Sequence, residues 1–194
     1  EQLLYSSASS KTAFGTAFCL RHASPGQTGM TSAGHQAFVQ ALGCYDTSLD
    51  YGGLSDLDTT RPTVYVDFSG RQALRQQVHQ HFDQHLTYSC FAGSAQSQDF
   101  LTPEQAAALP GPKPELYFAP HQIRKRNADW GAAEVTRRFN QAQLAFYDFV
   151  RDPQHSRLTL TAHSGLPAAQ SLVAALVNGR IDPQQGHIVR PQPA

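Results

Sequence analysis

The sequence predicts an α/β fold: a doubly wound parallel sheet with helices on both faces, three layers in all. Three observations predict it. Strand-like and helix-like stretches alternate along the chain, the rhythm of βαβ units. Thr63–Phe68 alternates Val64, Val66 and Phe68 against Tyr65 and Asp67, and a stretch with apolar residues four apart follows it. Helix punctuation recurs, with Ser32 placed as an N-cap and Gly43 and Gly179 as stops.

Taken in order, Leu3–Ser6 reads as a short buried strand. Ser10–His22 reads as a helix with Ala13, Phe14, Ala17, Phe18 and Arg21 on one side. Gln27–Ser32 is the second strand, Gly34–Leu42 the second helix and Thr47–Asp50 a weak third strand. After the Thr63–Phe68 strand, Gly70–Phe82 is a helix built on Leu74, Val78 and Phe82. Leu86–Phe91 is a strand. Gly93–Lys113 is polar and rich in Ala and Pro, so it reads mostly as loop, and Glu115–Phe118 as an edge strand. Ala132–Val150 is the longest helix, with Val135, Phe139, Ala142, Phe146 and Phe149 as its stripe. Arg157–Thr161, Pro167–Val177 and His187–Val189 read as strand, helix and strand.

The 194 residues suffice for one domain with a core. Lys+Arg and Asp+Glu both total 15, so the net charge is zero, which argues against a general nucleic-acid binder. No apolar run approaches the roughly 20 residues of a membrane span, and residues 1–10 lack the pattern of a signal peptide. Cys19, Cys44 and Cys90 are odd in number and read as free thiols of a reducing, cytoplasmic setting. The chain has no initiator Met and starts on a strand within three residues. We therefore expect a single nucleotide-binding domain over residues 1–194, a fragment of a longer chain.

In open α/β sheets, ligands bind beyond the carboxyl ends of the strands, at the switch point. The first strand-to-helix turn is Ser6-Ser7-Ala8-Ser9-Ser10-Lys11-Thr12-Ala13. A helix start offers unpaired N–H groups and partial positive charge, and small residues let a phosphate approach them. Ser9, Ser10 and Thr12 add hydroxyls and Lys11 a cation. The dinucleotide fingerprint G-x-G-x-x-G is absent, with no glycine before Gly15, so a serine-rich turn that only caps a helix stays open as a reading. NAD-binding proteins usually end the second strand on an acid. Here that region reads Gly29-Met30-Thr31-Ser32-Ala33-Gly34-His35 and holds no carboxylate, which favours NADP, with Thr31, Ser32, the backbone after them and His35 placed to accept a 2′-phosphate.

Several stretches together carry a resemblance. Gly29 to His35, Phe38 to Asp46 and Leu49-Asp50-Tyr51 are similar to the second strand, helix and third strand of medium-chain dehydrogenases and quinone oxidoreductases. Val64 to Gly70, Leu86 to Gly93 and the run from Ala174 to Val189 resemble later strands of the same superfamily. The phosphate turn, Phe118-Ala119-Pro120-His121-Gln122-Ile123-Arg124-Lys125-Arg126 and Asp129-Trp130-Gly131 resemble an uncharacterised bacterial branch of it. The resemblance spans nearly the whole chain. It implies a Rossmann-type, NADP(H)-binding domain of an oxidoreductase moving hydride to or from a small carbonyl or enone-like substrate. By the same resemblance, Ser9, Ser10, Lys11 and Thr12 hold the pyrophosphate. Ser32 and Tyr51 flank the adenosine ribose phosphate. Phe68 and Ser69, then Phe91, Ala92 and Gly93, lie along the nicotinamide ribose. It further implies that an amino-terminal catalytic domain, with its proton donors, lies outside this chain, and it leaves a sheet-paired homodimer open. The alternative is a non-catalytic nucleotide-sensing or interaction module that kept the fold and lost the glycines.

Other constellations are weaker. His79, His81 and His85 lack a Cys or carboxylate to complete a metal set, so no metal site is expected. Ser10-Lys11-Thr12 lacks both P-loop glycines. His163-Ser164 has no nucleophile elbow. Arg124, Lys125, Arg126, Arg137 and Arg138 read either as a solvated helix face or as a source of one cation for cofactor phosphate. No catalytic residue can be named.

Overall fold

The computed structural model describes residues 1–22, 26–93, 101–155 and 157–191. Its central sheet has six parallel strands in the order β3-β2-β1-β4-β5-β6. These are β1 (Gln2–Tyr5), β2 (Gln27–Thr31), β3 (Thr47–Asp50), β4 (Thr63–Asp67), β5 (Leu86–Phe91) and β6 (Glu115–Leu116). The chain steps outward from β1 to β2 and β3, then crosses back to place β4 on the other side of β1. That reversal beside β1 is the switch point of the doubly wound order.

Alternation along the strands divides the core in two. Leu4, Met30 and Tyr65 face one way, against Leu74, Val78 and Phe82 of α3 (Gln72–Phe82). The 3₁₀ segment Tyr51–Asp56 joins the same face through Leu54. Tyr5 faces the other way, with Phe14 and Ala17 of α1 (Lys11–Leu20) and Leu42 of α2 (Gln36–Leu42). The long helix α6 (Ala132–Arg151) closes this second face. Its Phe146 lies 5.8 Å from Phe14 and its Phe149 4.6 Å from Phe18, centroid to centroid. Fully burying each such ring stabilises by roughly 1.5–3 kcal/mol.

The buried His79 of α3 joins that helix to β5. Its Nδ1–H donates to the Pro110 carbonyl at 2.8 Å, because a carbonyl can only accept, and its Nε2 accepts from the Ser89 hydroxyl at 2.9 Å. Burial lowers its pKa, which keeps this neutral tautomer in place.

Three features depart from the sequence reading. First, α4 (Pro103–Ala107) interrupts the expected loop of Gly93–Lys113, within which residues 94–100 lie outside the described residues. Thr102 and Gln105 form a capping box around its start, at 3.0 and 3.2 Å. Second, a helix absent from the ordered elements above, α5 (Ala119–Trp130), packs against α6 and carries Arg124, Lys125 and Arg126 on a solvated face, one of the two readings of that basic run. All of its residues are exposed, so it has no apolar stripe for periodicity to detect. Third, β7 (Thr159–Ser164) and β8 (Gln185–Arg190) form a parallel sheet of their own, joined by α7 (Leu166–Val177). Arg157 anchors the lead into β7, donating to the carbonyls of Leu42 and Phe149 at 3.0 and 2.8 Å.

Candidate functional site

The turn between β1 and α1 lies at the switch point, and each of its residues has a structural reason to be there. Ser7 takes φ +51°, the left-handed conformation that the first glycine of G-x-G-x-x-G normally supplies. Holding a non-glycine there costs of order 1 kcal/mol or more. The Ser7 amide donates to the Tyr51 hydroxyl at 3.2 Å, and the Ala8 amide to the Met30 carbonyl at 2.9 Å. Ser10 caps α1, its Oγ accepting from the Ala13 amide at 3.3 Å. Gly29 makes room for the turn on β2: a Cβ there would stand 2.9 Å from Ala8 Cβ and 3.0 Å from Tyr45 Cγ.

The turn's amides are only partly used. Those of Ser7, Ala8, Ser10, Ala13 and Phe14 find acceptors inside the protein. Those of Ser9, Lys11 and Thr12 have none among the described residues.

Beneath the turn, Asp67 ends β4 fully buried. Its Oδ2 accepts from Arg75 Nη2 and Nε at 2.7 and 3.0 Å. Its Oδ1 accepts from Ser6 Oγ at 2.7 Å, from the Ser69 amide and hydroxyl at 2.9 and 2.8 Å, and from the Gly70 amide at 3.1 Å. Ser6 Oγ in turn accepts from the amides of Phe68 and Ser69 at 2.9 and 3.0 Å. One carboxylate thus ties the carboxyl ends of β1 and β4 to the start of α3.

Over this floor opens a cleft of about 600 Å³. Ser7, Ser9, Ser10 and Lys11 line it from the turn, Thr31, Ser32 and His35 from the end of β2, Tyr51 from the 3₁₀ segment, and Phe68, Ser69 and Arg71 from the end of β4. Leu176, Gly179, Ile181 and Pro183, from the α7–β8 connection, form a roof. Among the described lining residues there is no carboxylate, and Lys11 and Arg71 carry fixed positive charge. Lys11 Nζ donates to the carbonyls of Pro183 and Gln185 at 3.1 and 2.7 Å, so it reaches from the turn to the roof. Burial lowers its pKa, and nearby Asp182 opposes that shift. Ser32 Oγ lies 3.1 Å from His35 Nδ1. Burial raises the Tyr51 pKa, so its phenol stays neutral.

Eight of the twelve residues singled out from sequence meet in this cleft: Ser9, Ser10, Lys11, Ser32, His35, Tyr51, Phe68 and Ser69. Four do not line it. Thr12 is exposed at the first turn of α1, where its carbonyl accepts from the Thr16 hydroxyl at 2.8 Å. Phe91, Ala92 and Gly93 leave β5 beyond Asp67. Phe91 lies under the Arg75 guanidinium, and the Ala92 amide donates to the Asp67 carbonyl at 3.0 Å. The basic residues of α5 and α6 are not in the cleft either. Arg126 pairs with Asp129, and Arg137 and Arg138 both grip Glu134. Thr31, also placed beside a 2′-phosphate from the sequence, lines the cleft as well, whereas sequence reasoning missed Ser7, Arg71 and the roof. Ser7 adjoins residues that were named, so position could have found it. Arg71 and the roof carry no local signal.

Comparison with known proteins adds two findings. The family described as "Protein of unknown function (DUF2855)" matches residues 1–182. No curated protein sequence matches the chain. Among solved structures, CurA of Vibrio vulnificus in complex with NADPH aligns with a TM-score of 0.61 at 13% identity, covering 100% of this chain and 58% of that one. YhdH of E. coli K-12 with bound NADPH aligns at 0.58 and 12%, covering 97% and 54%. The YhdH oxidoreductase of Salmonella enterica in complex with NADP aligns at 0.58 and 11%, with the same coverage. These likenesses establish the Rossmann-like fold, and the chain spans just over half the length of each neighbour.

Proposed function

We propose, starting from a chain that belongs to the DUF2855 family, that it is the NADP(H)-binding part of a medium-chain-dehydrogenase-like oxidoreductase. The observation that carries this reading is the cleft itself. Two unpaired amides, those of Ser9 and Lys11, open into a cavity that the Lys11 ammonium borders, with no carboxylate among its described lining residues. A diphosphate needs that combination. The end of β2 offers the Ser32–His35 pair where an NAD site would offer an acid. The neighbouring structures, solved with NADPH or NADP, support the same ligand class.

In this reading the amides of Ser9 and Lys11 hold the diphosphate, with the Lys11 ammonium beside them. Tyr51 keeps the turn in shape through the Ser7 amide. Phe68 and Ser69, fixed by Asp67, support the ribose nearer the reacting end. The bound nicotinamide would supply the hydride, and the protein supplies its orientation and the exclusion of water. The substrate is a small carbonyl or enone-like molecule. Titrating the chain with NADPH and NADH while following nicotinamide fluorescence tests this. Saturable binding with tighter NADPH is expected, and absence of binding by either nucleotide contradicts it.

A second reading has one observation in its favour. The Ser7 amide and the Lys11 ammonium are already engaged, by Tyr51 and by the roof carbonyls. A cleft partly satisfied by its own groups suits a nucleotide-sensing module that binds without turnover. NADPH oxidation in the presence of quinones and enones separates the two: turnover marks the enzyme, binding alone the sensor.

A further inference from the structure

The two cations of the cleft are held differently. Lys11 is committed to the roof carbonyls of Pro183 and Gln185. Arg71 has no carboxylate partner among the described residues, although its backbone is firmly placed. The Arg71 amide donates to Ser69 Oγ at 3.2 Å, and Ser69 is itself held by the buried Asp67 carboxylate. The guanidinium carbon lies 5.5 Å from the centroid of the Tyr51 ring. Tyr51 is fixed in turn by the Ser7 amide. The structure therefore presents an uncompensated guanidinium on a rigid wall, beside the phosphate turn and in the same cleft as Ser32 and His35.

A guanidinium is suited to one ligand group above others, a phosphate monoester whose oxygens it can grip with two parallel N–H donors. The diphosphate of a dinucleotide is served by backbone amides and carries no such dianion. The 2′-phosphate of the adenosine ribose does. Resting on the reading above, we infer that Arg71 is the residue by which this cleft selects a 2′-phosphorylated nucleotide over its unphosphorylated counterpart. Ser32 and His35 supply further donors around the same phosphate. Aligning the sequence with the dinucleotide fingerprint does not reveal this role, because an arginine for the 2′-phosphate is expected near the end of β2, whereas Arg71 follows β4.

The test compares the dissociation constants of NADPH and NADH for the wild-type chain, Arg71→Ala and Arg71→Lys. Arg71 is exposed, so neither change should alter the thermal midpoint. Losing a charge-assisted contact of this kind weakens NADPH by about tenfold or more. NADH binding should not change, and Arg71→Lys should recover part of the loss. An unchanged NADPH to NADH ratio in Arg71→Ala overturns the inference and leaves the dinucleotide reading standing. So does an equal loss for both nucleotides. Failure of the wild-type chain to bind either overturns both.

Discussion

The floor and the roof of the cleft are built to different standards. The floor is over-determined: the Asp67 carboxylate, 1% exposed, is met by two donors from Arg75 and by four from Ser6, Ser69 and Gly70. The roof belongs to a two-stranded sheet whose surroundings leave Leu166 76% and Leu160 68% exposed, and the turn reaches it through Lys11. The contrast teaches where rigidity and movement reside. On the proposed reading, the groups that hold phosphate oxygens stand on that floor, whereas the segment that admits the ligand is held by contacts a ligand could replace.

Breaking the floor should produce the largest effect. Asp67→Ala leaves Arg75 as an unpaired buried cation and orphans the donors of Ser6, Ser69 and Gly70. The expected loss is about 3–5 kcal/mol of stability, read from the urea midpoint. A loss below about 1 kcal/mol would show that the network merely decorates the turn.

Cutting the tether should have a moderate effect and leave the floor intact. Lys11→Ala is expected to speed amide exchange in β8 and to weaken NADPH severalfold, with stability changed by less than about 1 kcal/mol. The pH dependence follows with a definite sign. Burial lowers the Lys11 pKa from the ordinary lysine value. The charge disappears as pH rises through a value below the ordinary lysine range of about 10.4. NADPH affinity should therefore decline on the alkaline side earlier than an exposed lysine would allow, and Lys11→Ala should abolish that limb. A limb that persists in the variant would assign it to another group.

The smallest effect belongs to the turn's strained residue. Ser7→Gly removes the cost of φ +51° but frees the unfolded chain, so the net gain should stay under about 1 kcal/mol. A clear destabilisation would mean that the Ser7 side chain has a role its backbone conformation does not show.

Much of the fold was legible because it rests on local pattern. The alternation of Val64, Val66 and Phe68 marks β4, and the four-residue spacing of Leu74, Val78 and Phe82 marks α3. The bounds of α5 were illegible because all of its residues are exposed and leave no apolar stripe, although a solvated helix face was one reading of its basic run. In the site, Ser9, Ser10, Lys11, Ser32 and His35 were readable because they follow the first two strands, where a doubly wound sheet puts its ligand. Arg71 was not, since it reaches Tyr51 only through the crossing back that sets β4 beside β1. The roof was not readable for the same reason: Lys11 meets Pro183 and Gln185 across more than 170 residues. Phe91, Ala92 and Gly93 were expected along the nicotinamide ribose by resemblance; Phe91 lies under the Arg75 guanidinium and the Ala92 amide bonds to the Asp67 carbonyl.

The central claim concerns which backbone donors meet the ligand. Amide hydrogen exchange, resolved residue by residue with and without saturating NADPH, measures that directly. Slowed exchange at Ser9 and Lys11, with the well-bonded Phe14 amide little changed, is the predicted result. Unchanged exchange at those two amides while NADPH is bound would place the nucleotide elsewhere and contradict the account.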